Sequence, residues 1–253
     1  MTDIAHHRVA DRDSWLEERK ALLAEEKEMT RLRDRIAERR RQLPWVKVDK
    51  TYSFDTPQGP KTLADLFEGR SQLIIQHFMF APDWDQGCVG CSFGLDHIEA
   101  ALQHIQHHDV SFVAVARAPL AQLAAFWKRM GWQAKVASSA NSDFNYDFHV
   151  SFTPEQVSAG KAFYNFEDAD VPLEDLPGLS VFYKDPHGDI FHTYSTYGRG
   201  SEGIVTAYAL LDLTPKGRNE TGPNFDLTDW VKHHDLYDKQ DAHTNKADCC
   251  HSA

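Results

Sequence analysis

A chain of 253 residues that is 42% hydrophobic and 26% charged can bury a full core and is too apolar for wholesale disorder. Its formal net charge of −11 at pH 7 repels polyanions on average, which argues against nonspecific binding to nucleic acid or to an anionic membrane. No run approaches the roughly 20 apolar residues that span a bilayer, and the start of the chain is polar without a signal-peptide core, so a cytoplasmic protein is expected.

Three segments follow one another: 1–44, 45–214 and 215–253. In the first, Trp15, Leu22, Met29, Ile36 and Leu43 recur every seven residues, with Leu16, Leu23 and Ala37 beside them, among Glu, Lys and Arg. The spacing predicts one helix over 13–43, about 45 Å long at 1.5 Å per residue, ended by Pro44. Its narrow apolar stripe suits a helix laid against its own domain, with a partner helix in a homodimer as the alternative. The Arg39-Arg40-Arg41 run reads as solvated face.

From Trp45 to about Leu213 strands and helices alternate. Val46–Val48 and Tyr52–Phe54 are strand candidates before a turn at 57–60, and Thr62 caps a helical turn through Phe67. The apolar run 73–80 reads as an interior strand. A helix is expected from Ser92 to about His108, where Phe93, Leu95, Ile98, Ala101, Leu102 and Ile105 recur at helical spacing. A strand at Val110–Ala116, a helix from near Pro119 to Gly131, and a strand at Ala134–Ala137 come next. A polar loop over 138–147 follows. Leu179–Lys184 and Ile190–Ser195 flank Asp185-Pro186-His187-Gly188-Asp189, a hairpin signal. Ile204–Leu213 is the last helix, and after Pro215 the chain reads as a polar, partly disordered tail. Parallel strands joined by helices imply a covered sheet with chemistry at the strands' carboxyl ends.

Cys88-Val89-Gly90-Cys91 lies where the first interior strand has ended and a helix begins. A helix N-terminus offers unpaired N–H groups and the positive end of the dipole, which favour a thiolate. Cys88, nearer the helix end, is the expected attacking sulfur; Cys91, one turn inward, is the expected resolving sulfur. Ser92 could add a hydroxyl donor. Arg117, closing the neighbouring strand, could bring a guanidinium to the thiolate. Trp84 and Phe80 could form an apolar lip for a thiol or disulfide partner, whether protein or small molecule. A zinc site would need two more ligands, drawn from Cys249-Cys250-His251 or His77. Haem attachment is excluded by Ser92 after the second cysteine. His97, His104 and His108 read as surface histidines, and Cys249-Cys250 as tail residues or a relay thiol pair. No phosphate loop or dinucleotide fingerprint is present, so neither cofactor nor metal is expected.

The segment Phe78-Met79-Phe80-Ala81-Pro82-Asp83-Trp84 running into Gly87-Cys88-Val89-Gly90-Cys91-Ser92 resembles a bacterial thioredoxin-like family of unknown function. Its members are often labelled dithiol-disulfide isomerases or oxidoreductases. Arg117-Ala118-Pro119-Leu120, Arg129-Met130-Gly131-Trp132, 142–148 and 191–197 carry the same resemblance, over about residues 12–240. It implies a thioredoxin-like three-layer α/β/α sandwich with a central mixed sheet, a long N-terminal helix, and a redox dithiol at Cys88 and Cys91. The expected function is therefore a thiol–disulfide oxidoreductase. Departures from thioredoxin itself are Gly87 in place of a Trp before the first cysteine, and Val89-Gly90 without a proline between the pair. Pro177 stands as the candidate for the cis-proline facing the dithiol. A peroxiredoxin-like thiol peroxidase is the nearest alternative; there a hydroxyl precedes the cysteine by three residues, where this chain has Asp85. A redox-inert thioredoxin-like binding module is the third reading.

Overall fold

The structure, a computed structural model, describes residues 7–218 and 230–237. Its first element is α1 (Arg12–Arg41). The Asp11 carboxylate caps it by accepting from the Ser14 amide at 2.9 Å, and Arg39, Arg40 and Arg41 complement the dipole in the last turn. No residue of α1 is buried, which corrects the expectation that its apolar stripe packs on its own domain.

Strands β1 (Val46–Lys47), β2 (Ser53–Thr56) and β3 (Gly59–Thr62) follow. The turn expected at 57–60 closes the β2–β3 hairpin, but Gly59 and Pro60 already belong to β3, an edge strand where a residue without an N–H is tolerated. The N-cap of the 3-10 turn Asp65–Phe67 is Ala64, not Thr62 as expected; Thr62 ends β3, and its hydroxyl accepts from the Asp65 amide at 3.3 Å just before the turn. Next come β4 (Gln72–His77), α2 (Val89–Glu99), α3 (Leu102–His107), β5 (Val110–Ala116), α4 (Leu120–Met130) and β6 (Lys135–Ser138). The expected single helix over 92–108 is two, broken at Ala100–Ala101. Neither Gly nor Pro marks the break, and Ile98 and Leu102 on either side of it enter the same core. Gly131, at φ +70°, ends α4.

The chain continues through α5 (Phe144–Asp147), α6 (Pro154–Ala159), β7 (Lys161–Tyr164), β8 (Glu167–Asp170), β9 (Gly178–Lys184), β10 (Ile190–Tyr197) and α7 (Thr206–Leu211). The hairpin β7–β8 forms a separate two-stranded sheet. It went unread because β8 is Glu-Asp-Ala-Asp, with no apolar alternation to signal it.

The main sheet runs β1-β10-β9-β4-β5-β6-β2-β3. Strands β4, β5 and β6 are parallel, while β9 pairs antiparallel with β4 and forms the expected hairpin with β10. The order β10-β9-β4-β5, with α2 between β4 and β5, is the thioredoxin-like arrangement. Along β5, Phe112, Ala114 and Ala116 face one core with α2, α3 and α4, whereas Val113 and Val115 face a second. That second core is covered by short elements, notably Phe144 and Phe148 at α5 and Leu66 and Phe67 of the 3-10 turn. The sheet is thus the middle of three layers, as the alternation of apolar residues on both its faces requires. Strand order reverses at β4, between β5 and β9, and such a switch point opens a crevice at the strand ends.

Candidate functional site: a dithiol at the start of helix α2

Cys88 is the N-cap residue of α2 and Cys91 lies in its first turn. The loop that delivers them is fixed by backbone pairing: the Cys88 amide donates to the Met79 carbonyl at 2.9 Å, and the Met79 amide donates to Cys91 Sγ at 3.5 Å. Gln76 Nε2, from β4, donates to the Cys91 carbonyl at 3.1 Å. The two cysteines differ in access. Cys88 is partly exposed; Cys91 is buried.

Their electrostatics separate them further. The Cys91 thiol is pushed well above its ordinary range, first by its hydrogen bond to Cys88, then by burial and by the charge of Cys88. The Asp175 carboxylate adds to the same effect, against a lowering by the Met79 amide. The raised pKa holds the proton on Cys91, while Cys88 sits at the helix cap. There the first-turn N–H groups have no intrahelical acceptor and favour negative charge.

Gly87 explains the missing tryptophan. A Cβ at that position would run into the Phe78 and Phe126 rings, so the chain passes where no side chain fits. The Gly87 carbonyl accepts from the buried His233 Nε2 at 3.0 Å. His233 belongs to the segment 230–237, which lies on the domain by way of several further contacts. Arg129 forks onto Asp235 with both bonds at 2.9 Å, and His234 Nδ1 and Trp132 Nε1 each reach Asp96 at 2.7 Å. Burial lowers the His233 pKa.

The sulfurs open onto a cleft of about 370 Å³ at the switch point. Its apolar wall includes Phe93, Pro177, Leu179, Ile204 and Tyr208, with Arg199, Ser201 and Glu202 at other points of its lining. Phe93, Tyr208 and Val231 form a small core of their own that holds α7 and the 230–237 segment onto α2.

Several expectations for the site are corrected. Phe80 is fully buried and Trp84 packs on the core beneath α4; neither lines the cleft, whose lip comes from residues after 176 instead. The Ser92 hydroxyl donates to the Cys88 carbonyl at 2.8 Å rather than to sulfur. Arg117 does not line the cleft. Its Nε donates to Asp175 at 2.7 Å, Nη2 to Glu174 at 3.1 Å and Nη1 to the Tyr146 hydroxyl at 3.2 Å. Burial works against its charge, but Asp175 outweighs this and raises its pKa. Asp175 is itself buried, also accepts from Ser151 Oγ at 2.6 Å, and leaves Oδ2 without a hydrogen bond among the described residues. Pro177 does stand at the head of β9 against the dithiol, but its peptide bond is trans. Tyr164 holds it there by donating to the Pro177 carbonyl at 2.7 Å and accepting from the Gly198 amide at 3.0 Å.

His97 is not a surface histidine. Its Nδ1–H donates to the Phe93 carbonyl at 2.7 Å, and its Nε2 accepts from the Ala207 amide at 3.1 Å, tying α2 to α7. His104 and His108 are exposed as expected. His77, offered as a zinc ligand, is buried on the opposite face of the sheet, stacked on Phe144 and Phe148. It joins a buried chain in which His77 Nε2, Ser180, Ser195 and His192 Nε2 lie 2.8, 2.8 and 2.7 Å apart in turn. Sequence reasoning missed this chain, because its four members are scattered over three strands. Among the described residues no three His, Cys, Asp or Glu side chains gather as a metal ion requires. Cys249, Cys250 and His251 lie outside the described residues. No described helix is long and apolar enough to cross a membrane.

Residues 4–237 match the model of a bacterial protein family of unknown function, DUF899. The chain belongs to that family. No curated protein matches it significantly. Among solved structures it is similar to the peroxidoxin BcpB of Mycobacterium tuberculosis, at 13% identity and a TM-score of 0.40, over 65% of this chain and 94% of the other. Peroxiredoxin Q of Xanthomonas campestris matches at 14% identity and a TM-score of 0.41, over 61% and 87%. A protein assigned as the thiol:disulfide interchange protein DsbE of Chlorobium tepidum matches at 12% identity and 0.40, over 65% and 97%. Likenesses at this level carry neither activity nor site residues into the family.

Proposed function

We propose that the chain is a thiol–disulfide oxidoreductase, with Cys88 attacking and Cys91 resolving, acting on a protein or small-molecule disulfide. One observation carries the reading: a partly exposed cysteine caps helix α2 and a buried cysteine lies one turn beneath it, its thiol raised by burial and by the neighbouring sulfur. The Cys88 thiolate attacks one sulfur of a substrate disulfide, forming a Cys88–substrate disulfide and expelling the other substrate sulfur as a thiolate. Cys91 gives its proton to that leaving thiolate, and its own thiolate then attacks Cys88 Sγ. The Cys88–Cys91 disulfide forms and the second substrate thiolate leaves. Two electrons pass from the dithiol to the substrate. The apolar wall of the cleft suits the flanks of a disulfide partner, and a reducing cytoplasm would keep the pair ready as thiols.

Insulin reduction and hydroperoxide consumption, measured on the wild type, Cys88→Ser and Cys91→Ser, test the reading. Disulfide reduction that vanishes in Cys88→Ser, with a trapped mixed disulfide in Cys91→Ser, is the expected result. Hydroperoxide turnover without disulfide reduction would move the assignment to a thiol peroxidase. Activity in neither assay would leave a binding module.

A further inference from the structure

The heptad row of α1 is left uncovered by the described residues. Trp15, Leu22, Met29, Ile36 and Leu43 are each between 38% and 55% exposed, along a helix that buries nothing. Beyond the row the chain joins the domain: the Trp45 ring lies 5.1 Å from that of Tyr183 and 5.9 Å from that of Phe191, and Val46 pairs with His192. A single surface leucine needs no explanation, but an unbroken apolar row some 45 Å long marks an interaction surface. The seven-residue interval is the period of a helix that packs along another helix.

Two properties of the row choose the occupant. It is symmetric about Met29: Trp15 and Leu43 are equally distant from it in sequence, as are Leu22 and Ile36. A surface that maps onto itself under reversal fits an isologous interface between identical chains. The charges are polarised in the same frame. From Arg12 to Glu28 six acids accompany four bases, whereas from Met29 to Arg41 six bases accompany two acids. Reversing one helix against the other sets the acidic half on the basic half. Running them in the same direction sets like on like, which repels.

We propose that this face pairs with the same face of a second copy of the chain, the two α1 helices antiparallel about a twofold axis at Met29. Trp15 then meets Leu43 of the partner subunit, Leu22 meets the partner's Ile36, and Met29 meets its own copy. The proposal does not depend on the dithiol chemistry, and no residue of the row lines the cleft at Cys88.

Light scattering on the full-length protein at micromolar concentration should give twice the 28.8 kDa of one chain. Leu22→Glu with Ile36→Glu should give one chain mass, with the near-ultraviolet circular dichroism of the domain and the alkylation rate of Cys88 unchanged. A wild type of one chain mass, or a double variant that stays dimeric, overturns the proposal. A benzophenone amino acid at position 15 reads the direction, using a mixture of isotope-labelled and unlabelled chains. Cross-links from one chain to the peptide around Leu43 of the other are expected. Cross-links to the peptide around Trp15, or within one chain to residues beyond 218, overturn it.

Discussion

Removing the buried imidazole of His77 should make the protein markedly less sensitive to mild acid. Burial, with a smaller contribution from His192, pushes the His77 pKa from 6.5 down to about 3. The unfolded chain binds a proton near 6.5, so between about pH 6.5 and 3 the unfolded state holds more protons than the folded one. Stability is therefore fully present above the unfolded value and is lost as the pH falls toward the folded one. At 1.36 kcal/mol per pH unit the whole loss is roughly 5 kcal/mol, and at pH 5 about 2 kcal/mol of it has been spent. His77→Phe keeps a ring against Phe144 and Phe148 and leaves Ser180 bonded to Ser195. It removes an Nδ1 that has no partner among the described residues, at the loss of one neutral hydrogen bond, about 1 kcal/mol. Urea denaturation of both proteins at pH 7 and pH 5 gives the comparison. Between the two pH values the wild type should lose about 2 kcal/mol more than the variant. His192 and His233 are lowered too, but both remain in the variant and largely cancel. Equal losses in the two proteins would refute the reasoning.

Three further perturbations address the supports of the site. Gly87→Ala forces a methyl into the Phe78 and Phe126 rings; overpacking of this kind costs about 1–3 kcal/mol, and thermal melting would register it. Arg117→Ala strands Asp175 as an unpaired buried carboxylate, a loss of about 3–5 kcal/mol. A melting temperature within a degree of wild type would show that Asp175 finds another partner. His233→Ala deprives the buried Gly87 carbonyl of its donor, costing about 1–3 kcal/mol, and should raise hydrogen exchange at the Cys88 amide more than at β5. Uniform exchange across both would mean that the segment 230–237 does not brace the dithiol loop.

How much of this could be read beforehand follows from where the signals lie. Apolar period and punctuation revealed β4, β5, α4 and the β9–β10 hairpin, because each buries a periodic face and ends at a turn or a φ that only certain residues take, as Gly131 does. The spacing of Cys88 and Cys91 located the dithiol for the same local reason. Arg117, by contrast, was assigned from strand order alone. Its true partners, Glu174 and Asp175, come from a stretch between β8 and β9 whose fold has no periodic pattern. The lip of the cleft was misassigned to Trp84 for a related reason: Ile204 and Tyr208 reach the dithiol only through the packing of α7 on α2. His233 was invisible in a polar segment, since burial of a histidine on a backbone carbonyl leaves no mark in sequence.

The order of ionisation in the pair is the point on which the chemistry turns, and limiting alkylation measures it. Reduced protein is treated near neutral pH with less iodoacetamide than one equivalent, and the adducts are located by peptide mass spectrometry. The account predicts the first label on Cys88, with Cys91 modified only at alkaline pH or after unfolding. Labelling of Cys91 first, or of both equally, would contradict it.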